Sequence, residues 1–305
     1  MLLIDLPTEI LHRIIAKAVD EAVIPSNILG VCQLFHDLGT ECLYTHLRFT
    51  APSQLQLFSK SYAPKDPIVV PRSVTVDLAG AQESHIFQYL HDTLRICQAL
   101  SEEGGRSDDA GRAQLERLCL RMNSYTSDTT MDLLSEGLLA ISVEAFEWTG
   151  PDPDHHFSTA IVASVASSLF DSFVYWHYLR EIKVTNITFT TNSDQEGPPP
   201  PLLHLDSLRT LYIGQATFLH PQAVAGMFLE NRSRHLEEFR LVDAYSESIW
   251  GPRLRRSDVE KAARSLCDAH EVEAVIADIR MTLTCEKKTE RIMGGDRVEG
   301  TNILD

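Results

Sequence analysis

The sequence predicts an α/β fold in which parallel strands alternate with helices behind a short all-helical start. One observation is a strand motif that recurs between residues 71 and 285, and a second is the helical apolar spacing from Leu6 to about Leu47. The third observation is size. A chain of 305 residues with 44% hydrophobic content is long enough to bury one sizeable core or two smaller ones.

The recurring motif consists of an aliphatic residue, two mostly polar residues, and two more apolar residues separated by one position. Its copies start 28, 36, 29, 28 and 36 residues apart. They are LERLCL at Leu115, VEAFEW at Val143, LREIKV at Leu179, LRTLYI at Leu208, LEEFRL at Leu236 and VEAVIA at Val272. An earlier segment, PRSVTV at Pro71, keeps the last two apolar positions and is interpreted as a degenerate first copy.

Each copy predicts a strand, because apolar residues two positions apart point to the same face of a sheet. Most copies are followed by a stretch with helical apolar spacing. We predict these helices at 85–100, 130–141, 158–170, 222–229 and 258–267. Since no single strand-helix unit can bury its apolar face alone, we expect the units to stack into a curved, irregular parallel array.

The first 50 residues carry apolar residues at helical spacing instead. Ile24, Pro25 and Ser26 interrupt the pattern, with Ser26 as the expected N-cap of the next helix, and we expect a second break near Gly39. The segment therefore predicts three short helices. Because so few residues cannot bury all their apolar side chains, part of this surface needs a partner.

The predicted organisation is a three-helix domain at 1–50, a linker at 51–70, a repeat domain at 71–285 and a polar, frayed tail at 286–305. The polar run from Ser101 to Arg112 is predicted to be a flexible loop. The proline run NSDQEGPPPP from Asn192 favours an extended loop in place of a connecting helix. A docking site for a proline-binding module is the alternative.

Composition argues against several classes of protein. A net charge of −16 disfavours nucleic acid as a partner. The sequence has no apolar run of about 18 residues and no secretory signal pattern, so we expect no membrane interaction. Six widely scattered cysteines fit reduced thiols, which predicts a location in the cytoplasm, the nucleus or both.

A pattern typical of zinc ligands occurs in the N-terminal segment. Two pairs have the i,i+4 spacing of a helix, Cys32 with His36 and Cys42 with His46. Zinc requires four such donors converging tetrahedrally. Because Cys32 is expected to point into the core of the helices, we prefer buried cysteine and surface histidine to a metal site.

The segment PDPDHH is the other cluster of polar groups that could take part in catalysis or metal binding. It gathers Asp152, Asp154, His155 and His156 in a turn, for which we prefer a turn-and-cap role to metal or substrate contact. The sequence contains no nucleophile elbow, phosphate-binding loop or metalloprotease motif. We therefore predict a protein that is not an enzyme and that uses no cofactor and no metal.

The outward-facing strand positions form the predicted recognition surface. Charges of both signs together with a tyrosine suit a protein or peptide ligand better than a polymer of one charge. The residues predicted to bind the substrate are Arg117, Arg121, Glu147, Lys183, Tyr212 and Arg240. The same face also carries Cys119, Thr149, Glu181, Thr185, Thr210, Glu238 and Val242.

The repeat resembles the leucine-rich repeat, whose core pattern is L-x-x-L-x-L-x-x-N. The copy at Leu115 keeps the asparagine, as Asn123. The other copies have Pro151, Ile187, Ala216, Ala244 or Arg280 at that position. The resemblance implies an irregular solenoid in which the asparagine ladder of the family is largely absent.

The segments LPTEILHRIIAKAVD from Leu6 and NILGVCQLFHDLGTECLYTHLRF from Asn27 resemble an F-box, a three-helix motif that docks onto a Skp-family adaptor. The chain departs from the motif at Gln33 and Leu34, because the family often has a basic residue and then an aromatic one after the Val-Cys pair. The resemblance implies adaptor contacts by Leu6, Pro7, Ile10, Leu11, Ile14, Val31, Cys32, Phe35, Leu43, Tyr44 and Leu47.

An F-box followed by degenerate leucine-rich repeats is a combination found in many fungal proteins, and this chain resembles them. The resemblance implies a substrate receptor of a Skp-cullin-F-box ubiquitin ligase, with a protein substrate on the repeat surface. The alternative is a leucine-rich-repeat interaction scaffold outside any ubiquitin ligase, with the helices acting only as a terminal cap. An enzyme is the third class, and it would need polar groups such as Asp154 and His155 converging in a pocket.

Overall fold

The computed structural model of the protein describes residues 3–22, 24–62, 69–81, 83–124, 130–152, 158–190, 199–230, 235–268, 270–292 and 295–305. These residues form nine strands in one sheet, and each strand pairs with its neighbours in sequence. The strands are β1 His46–Phe49, β2 Ser73–Asp77, β3 Ala113–Arg121, β4 Ile141–Thr149, β5 Glu181–Thr185, β6 Thr210–Gly214, β7 Glu238–Val242, β8 Leu283–Ile292 and β9 Gly295–Ile303. All neighbouring pairs from β1 to β8 are parallel, and β9 runs antiparallel to β8.

Helices connect most of the strands, so the predicted α/β class with a mostly parallel sheet is confirmed. The helices are α1 Thr8–Glu21, α2 Ser26–Leu29, α3 Gln33–Thr45, α4 Pro52–Ser61, α5 Ile86–Glu103, α6 Asp132–Leu139, α7 Ala163–Phe173, α8 Pro221–Glu230, α9 Arg256–Leu266 and α10 Val272–Thr282. A 3-10 turn, Leu3–Asp5, precedes α1. Helices α4 to α10 contribute to the same hydrophobic core as the strands, which leaves the other face of the sheet polar.

The two apolar positions of each strand motif point into this core, as the sequence predicts. In β4 they are Phe146 and Trp148, which are 1% and 0% exposed, and the Trp148 indole N–H donates to the carbonyl of Met122 at 3.0 Å. The equivalent residues of β3, β5, β6 and β7 are buried as well. A period of two along each strand therefore sends the residues between them to the opposite face.

The strand predicted at Val272 is wrong, because this segment forms helix α10. Its apolar residues also fit helical spacing, and the helix buries Ile276 and Ile279. A strand would bury Ala277, which is exposed. The strand of this unit is β8, which begins only at Leu283.

Residues 286–305, predicted to fray, form most of the β8–β9 hairpin. Backbone hydrogen bonds hold the segment to the rest of the fold, for example from the N–H of Leu304 to the carbonyl of Cys285 at 2.8 Å. A hairpin at the end of a sheet needs few buried side chains, so its sequence is as polar as that of a frayed terminal segment.

The segments predicted to be a linker and a flexible loop also contain ordered structure. Helix α4 lies within 51–70, and its Leu55 is fully buried in the main core. In the polar run, Asp108 closes a turn by accepting hydrogen bonds from the N–H groups of Ala110 and Arg112 at 2.9 and 2.8 Å. An aspartate that bonds backbone groups two and four residues later supplies local order that polarity alone does not reveal.

Helices α1 to α3, called the N-terminal helices below, have a small core of their own. Leu11, Ile15 and Val19 are buried, and half-buried side chains from α2 and α3 pack on them. Helix α3 runs straight through Gly39, so the break expected there is wrong. A side chain at Gly39 would lie 2.4 Å from Cδ2 of Leu29, which shows that the glycine allows close packing of the helices.

Other details of this segment also differ from the prediction. Pro25, not Ser26, occupies the N-cap position of α2, and no side chain caps that helix. Leu47 is not helical, because the chain enters β1 at His46 directly after α3. The N-terminal helices are thus joined to the sheet without an intervening linker.

Polar residues end three successive strands in a left-handed backbone conformation. Asn186, Gln215 and Asp243 have φ angles of 58°, 48° and 50° and are almost fully buried. Each backbone N–H donates to a carbonyl of the next strand, at 2.8 to 3.0 Å. These side chains lie one residue before the position where the leucine-rich-repeat pattern has its asparagine, so buried polar residues hold the turns although the asparagine itself is missing from these copies.

Candidate functional site

Helix α1 exposes one apolar face to solvent. Ile10 and Ile14 are 44% and 40% exposed, and Pro7 on the same face is exposed as well. Positions three, four and seven apart lie on one side of a helix, so these residues form a single stripe. The buried Leu11 and Ile15 lie on the adjacent side of α1. The apolar surface of α1 is therefore wide, and the small core covers only part of it.

More apolar side chains are exposed elsewhere in the N-terminal segment. Leu3 and Ile4 precede α1, and Val31 and Leu34 flank the start of α3. Cys32 is exposed too, which overturns the expectation that it points inward. Large exposed apolar side chains in such number are typical of a surface that another molecule covers.

The residues predicted to contact the adaptor fall into three groups. Five are exposed, namely Pro7, Ile10, Ile14, Val31 and Cys32. Four are half-buried, namely Leu6, Phe35, Leu43 and Tyr44. The remaining two are buried, because Leu11 (1% exposed) belongs to the core of the N-terminal helices and Leu47 (5% exposed) to the main core, so neither presents area to a partner.

The cysteines and histidines of this segment do not converge. Cys32 and His36 are exposed, whereas Cys42 is buried and has Nε2 of His12 at 3.5 Å from its Sγ. Burial raises the pKa of the Cys42 thiol. Nδ1 of His46 lies 2.9 Å from Oγ of Ser73. Within the ranges that the structure describes, no three His, Cys, Asp or Glu side chains are grouped as metal ligands would be.

The polar face of the sheet consists of three rows that run across the strands. The row nearest the amino ends contains Ser73, Arg117, Ala145, Glu181, Thr210 and Glu238. The middle row contains Arg48, Thr75, Cys119, Glu147, Lys183, Tyr212, Arg240 and Thr284. The row nearest the carboxyl ends contains Asp77, Arg121, Thr149, Thr185, Gly214, Val242 and Glu286.

Ion pairs between neighbouring strands organise this face. Nζ of Lys183 donates to Oε1 of Glu147 at 2.7 Å. Arg240 donates to both carboxylate oxygens of Glu286 at 2.9 Å and lies over the Tyr212 ring, 5.6 Å from its centroid. The hydrogen bonds to Glu286 raise the pKa of Arg240. The charges of the face are therefore held in defined positions.

A cavity of about 690 Å³ opens at the carboxyl ends of the strands. Of the residues predicted to bind the substrate, it brings together Arg121, Glu147, Lys183, Tyr212 and Arg240. The sixth, Arg117, lies in an adjoining hollow of about 280 Å³, where it faces Glu181 at 3.6 Å. The structure thus places all six on one continuous surface.

Cys119 lies between the charged residues of the middle row. Burial raises the pKa of its thiol, and the Glu147 carboxylate adds to this effect, while Arg117 and Lys183 act in the opposite direction. The thiol form is therefore favoured. Nothing in this arrangement activates Cys119 as a nucleophile.

Sequence reasoning missed several further residues that line the cavity. Gln215 and Asp243 follow β6 and β7, while Glu286 and Lys288 are on β8. The two residues of β8 were missed because the last strand was assigned at Val272. The signal was present, since Leu283 and Cys285 are buried and alternate with polar residues.

The PDPDHH turn is described only at its start. Asp152 lines the rim of the cavity and is exposed. Asp154, His155 and His156 lie outside the described residues. Asp152 follows β4, so it is at the carboxyl-end edge of the sheet, where the cavity opens.

The described part of the proline run packs against the helices. Pro199, Pro200 and Pro201 line a hollow of about 190 Å³ together with side chains of α7 and α8. The N–H of Leu202 donates to the carbonyl of Ala223 at 3.0 Å. Residues 192–198 lie outside the described residues. In the parts that the structure describes, no helix connects β5 to β6.

Comparison with known proteins adds no relative. No family model matches the chain, and no curated protein matches it significantly. Among the described residues, no helix has the length and apolar character needed to cross a bilayer. The case for a function therefore depends on the geometry of the two surfaces described above.

Proposed function

We propose that this protein is a non-catalytic substrate receptor of a Skp-cullin-F-box ubiquitin ligase. The N-terminal helices bind a Skp-family adaptor, and the polar face of the sheet binds a protein substrate. The observation that carries the proposal is the exposed apolar stripe of Pro7, Ile10 and Ile14 on a helix whose adjacent side already fills a core. Such a helix has apolar area left for a second polypeptide.

The energetics of the stripe favour a protein partner. Fully burying an exposed isoleucine side chain is worth about 1.5 to 3 kcal/mol, and because Ile10 and Ile14 are 44% and 40% exposed, covering both contributes about 1 to 2.5 kcal/mol toward the roughly 8 kcal/mol of a micromolar affinity. Val31 and Leu34 extend the available apolar area. An aliphatic centre with few charges is also the composition found at the core of protein interfaces.

The two surfaces can be occupied at the same time because they belong to different elements. The stripe is on α1, at the start of the sheet, and the cavity is formed by β3 to β8. One rigid body that holds adaptor and substrate together raises the effective concentration of substrate lysines near the ubiquitin-carrying enzyme. This proximity mechanism assigns no bond-making step to the chain, and it operates in the cytoplasm or the nucleus.

The test is co-purification with a Skp-family adaptor. In the double variant Ile10→Asp, Ile14→Asp, two carboxylates would have to be buried against the partner, and we expect adaptor capture to be lost. Leu57→Asp is the matched control, because Leu57 is an exposed apolar residue on α4, 66% exposed and outside the N-terminal helices. This control is expected to retain the adaptor.

Folding of the variants is checked by circular dichroism and thermal unfolding, which exposed substitutions should change little. Equal capture by the double variant and the wild type would refute the proposal. In that case the N-terminal helices serve as a terminal cap, and the protein is an interaction scaffold outside the ligase.

A further inference from the structure

Three cations that face the cavity are each more exposed than one of their carboxylate partners. Lys183 and Glu147 are 48% and 28% exposed, and Arg240 and Glu286 are 39% and 8% exposed. Arg121 is likewise more exposed than its partner Asp77. Ammonium and guanidinium groups are therefore accessible to a ligand that enters the cavity.

These cations are held in place before any ligand arrives. Arg121 donates from Nη2 to the carbonyl of Pro151 at 2.9 Å. Arg240 uses Nε and Nη2 for Glu286, and Nη1 makes no hydrogen bond within the residues that the structure describes. Donors that are already ordered lose little side-chain entropy on binding, and their bonds to an anion are charge-assisted.

Two well-exposed carboxylates of the polar face, Glu181 and Glu238, are in the row nearest the amino ends, two rows away from Arg121. Each row is about 7 Å from the next along a strand. Glu238 is 55% exposed and lies 3.7 Å from Nε of Arg240, and Asp152 is exposed at the rim of the cavity, so both oppose an anion there. The cavity is lined by four cations and four carboxylates, whereas the whole chain carries a charge of −16, so an anionic ligand is repelled less at this patch than over the rest of the surface.

From these observations we infer that the cavity binds an acidic peptide segment, whose carboxylate or phosphate groups are held by Arg121, Lys183 and Arg240. The inference rests on the proposed function in that it names the substrate class of the same face. A volume of about 690 Å³ lies within the range of pockets that enclose a ligand, so a few residues of an acidic segment fit.

The experiment measures fluorescence anisotropy of rhodamine-labelled hexapeptides with the purified full chain at about 0.15 M salt, where the Debye length is about 8 Å. The probes are hexaglutamate, hexalysine, hexaglutamine and a glutamine hexapeptide with two phosphoserines. We expect hexaglutamate to bind at least about tenfold more tightly than hexalysine or hexaglutamine. Tighter binding of the phosphoserine peptide than of hexaglutamate assigns the anion to phosphate, and the reverse order assigns it to carboxylate.

Variants locate the binding in the cavity. Lys183→Gln is expected to weaken hexaglutamate binding about tenfold, whereas Asp152→Asn is expected to strengthen it a few-fold. Arg95→Gln is the matched control, because it removes the same charge from an exposed position on helix α5 and should change binding less than twofold. A loss of folding alone cannot produce effects of opposite sign at Lys183 and Asp152.

Three results would overturn the inference: no saturable binding of either anionic peptide, hexalysine binding as tightly as hexaglutamate, or equal effects of Lys183→Gln and Arg95→Gln. Adaptor capture tests the N-terminal helices, and the peptide titration tests the cavity. Peptide binding without adaptor capture removes the proposed ligase function and leaves this inference standing. Adaptor capture without peptide binding removes only the inference.

Discussion

Asp243 and Arg253 form a 2.7 Å ion pair beneath the carboxyl-end edge of the sheet. Asp243 is 2% exposed, and it also accepts hydrogen bonds from the backbone N–H groups of Lys288 and Thr289. Its own N–H donates to the carbonyl of Glu286 at 2.9 Å. One side chain thus ties the end of β7 to its loop and to the hairpin that closes the sheet.

Replacing this carboxylate is expected to loosen the hairpin. Asp243→Asn keeps the size and tolerates the left-handed backbone, but it leaves Arg253 without its counterion. Breaking a buried pair in this way costs about 3 kcal/mol. Urea unfolding should show that loss, and hydrogen exchange should rise in 283–292. The exposed Asp152→Asn is the control, and an equal loss of stability in both variants contradicts this role for Asp243.

The pH dependence of stability should show the contribution of Glu260. Hydrogen bonds from Arg280 at 2.8 Å, together with the charges of Arg280 and Arg256, lower the pKa of the Glu260 carboxyl from its ordinary value of 4.5, although burial acts in the opposite direction. A lowered folded-state pKa means that the pair stabilises the fold above about pH 4.5. This stabilisation is lost as the pH falls through the lower folded-state value.

Glu260→Gln is therefore expected to lower stability by up to about 1 kcal/mol at pH 7 and by progressively less below about pH 4.5. Unfolding in urea at a series of pH values measures the difference. Glu273→Gln is the control, because Glu273 pairs with Arg264 at 3.5 Å and is much more exposed. A difference between Glu260→Gln and wild type that grows on acidification contradicts the assignment.

The central strands of the sheet could be predicted from sequence because one short pattern of apolar residues specifies each of them. Paired apolar residues such as Phe146 and Trp148 specify both the strand and the face that it buries. The outward positions follow from the same alternation, so the residues of the polar face were available from sequence. Which of them meet across strands depends on register, and the contact of Arg240 with Glu286 required β8 to be placed correctly.

Short or polar elements could not be assigned in this way. Strand β1 has four residues, and the polar β9 lies at the end of the sheet. In α1, Leu11 and Ile14 are both aliphatic and adjacent on the helix surface, but Leu11 is buried and Ile14 is 40% exposed. Sequence alone does not tell which part of a wide apolar surface faces its own chain.

Thiol reactivity should report on the proposed adaptor surface. Cys32 is exposed beside Val31, while burial raises the pKa of Cys97 and of Cys285 to about 12. The thiolate is the reactive form, so the two buried thiols should not react in the folded protein. We expect Cys32 to be modified first by a disulfide reagent at neutral pH, and Cys32→Ser to remove that fast phase.

Binding of a Skp-family adaptor over the N-terminal helices should then slow modification of Cys32. Cys267 serves as the internal reference, because it follows α9 at the far end of the chain and is partly exposed. Mass spectrometry of the labelled peptides resolves the two rates in one sample. Protection of Cys32 with an unchanged rate at Cys267 is the expected result, because only the former lies next to the apolar side chains that the adaptor would cover. An unchanged rate at Cys32 with saturating adaptor would show that any adaptor binds elsewhere on the chain.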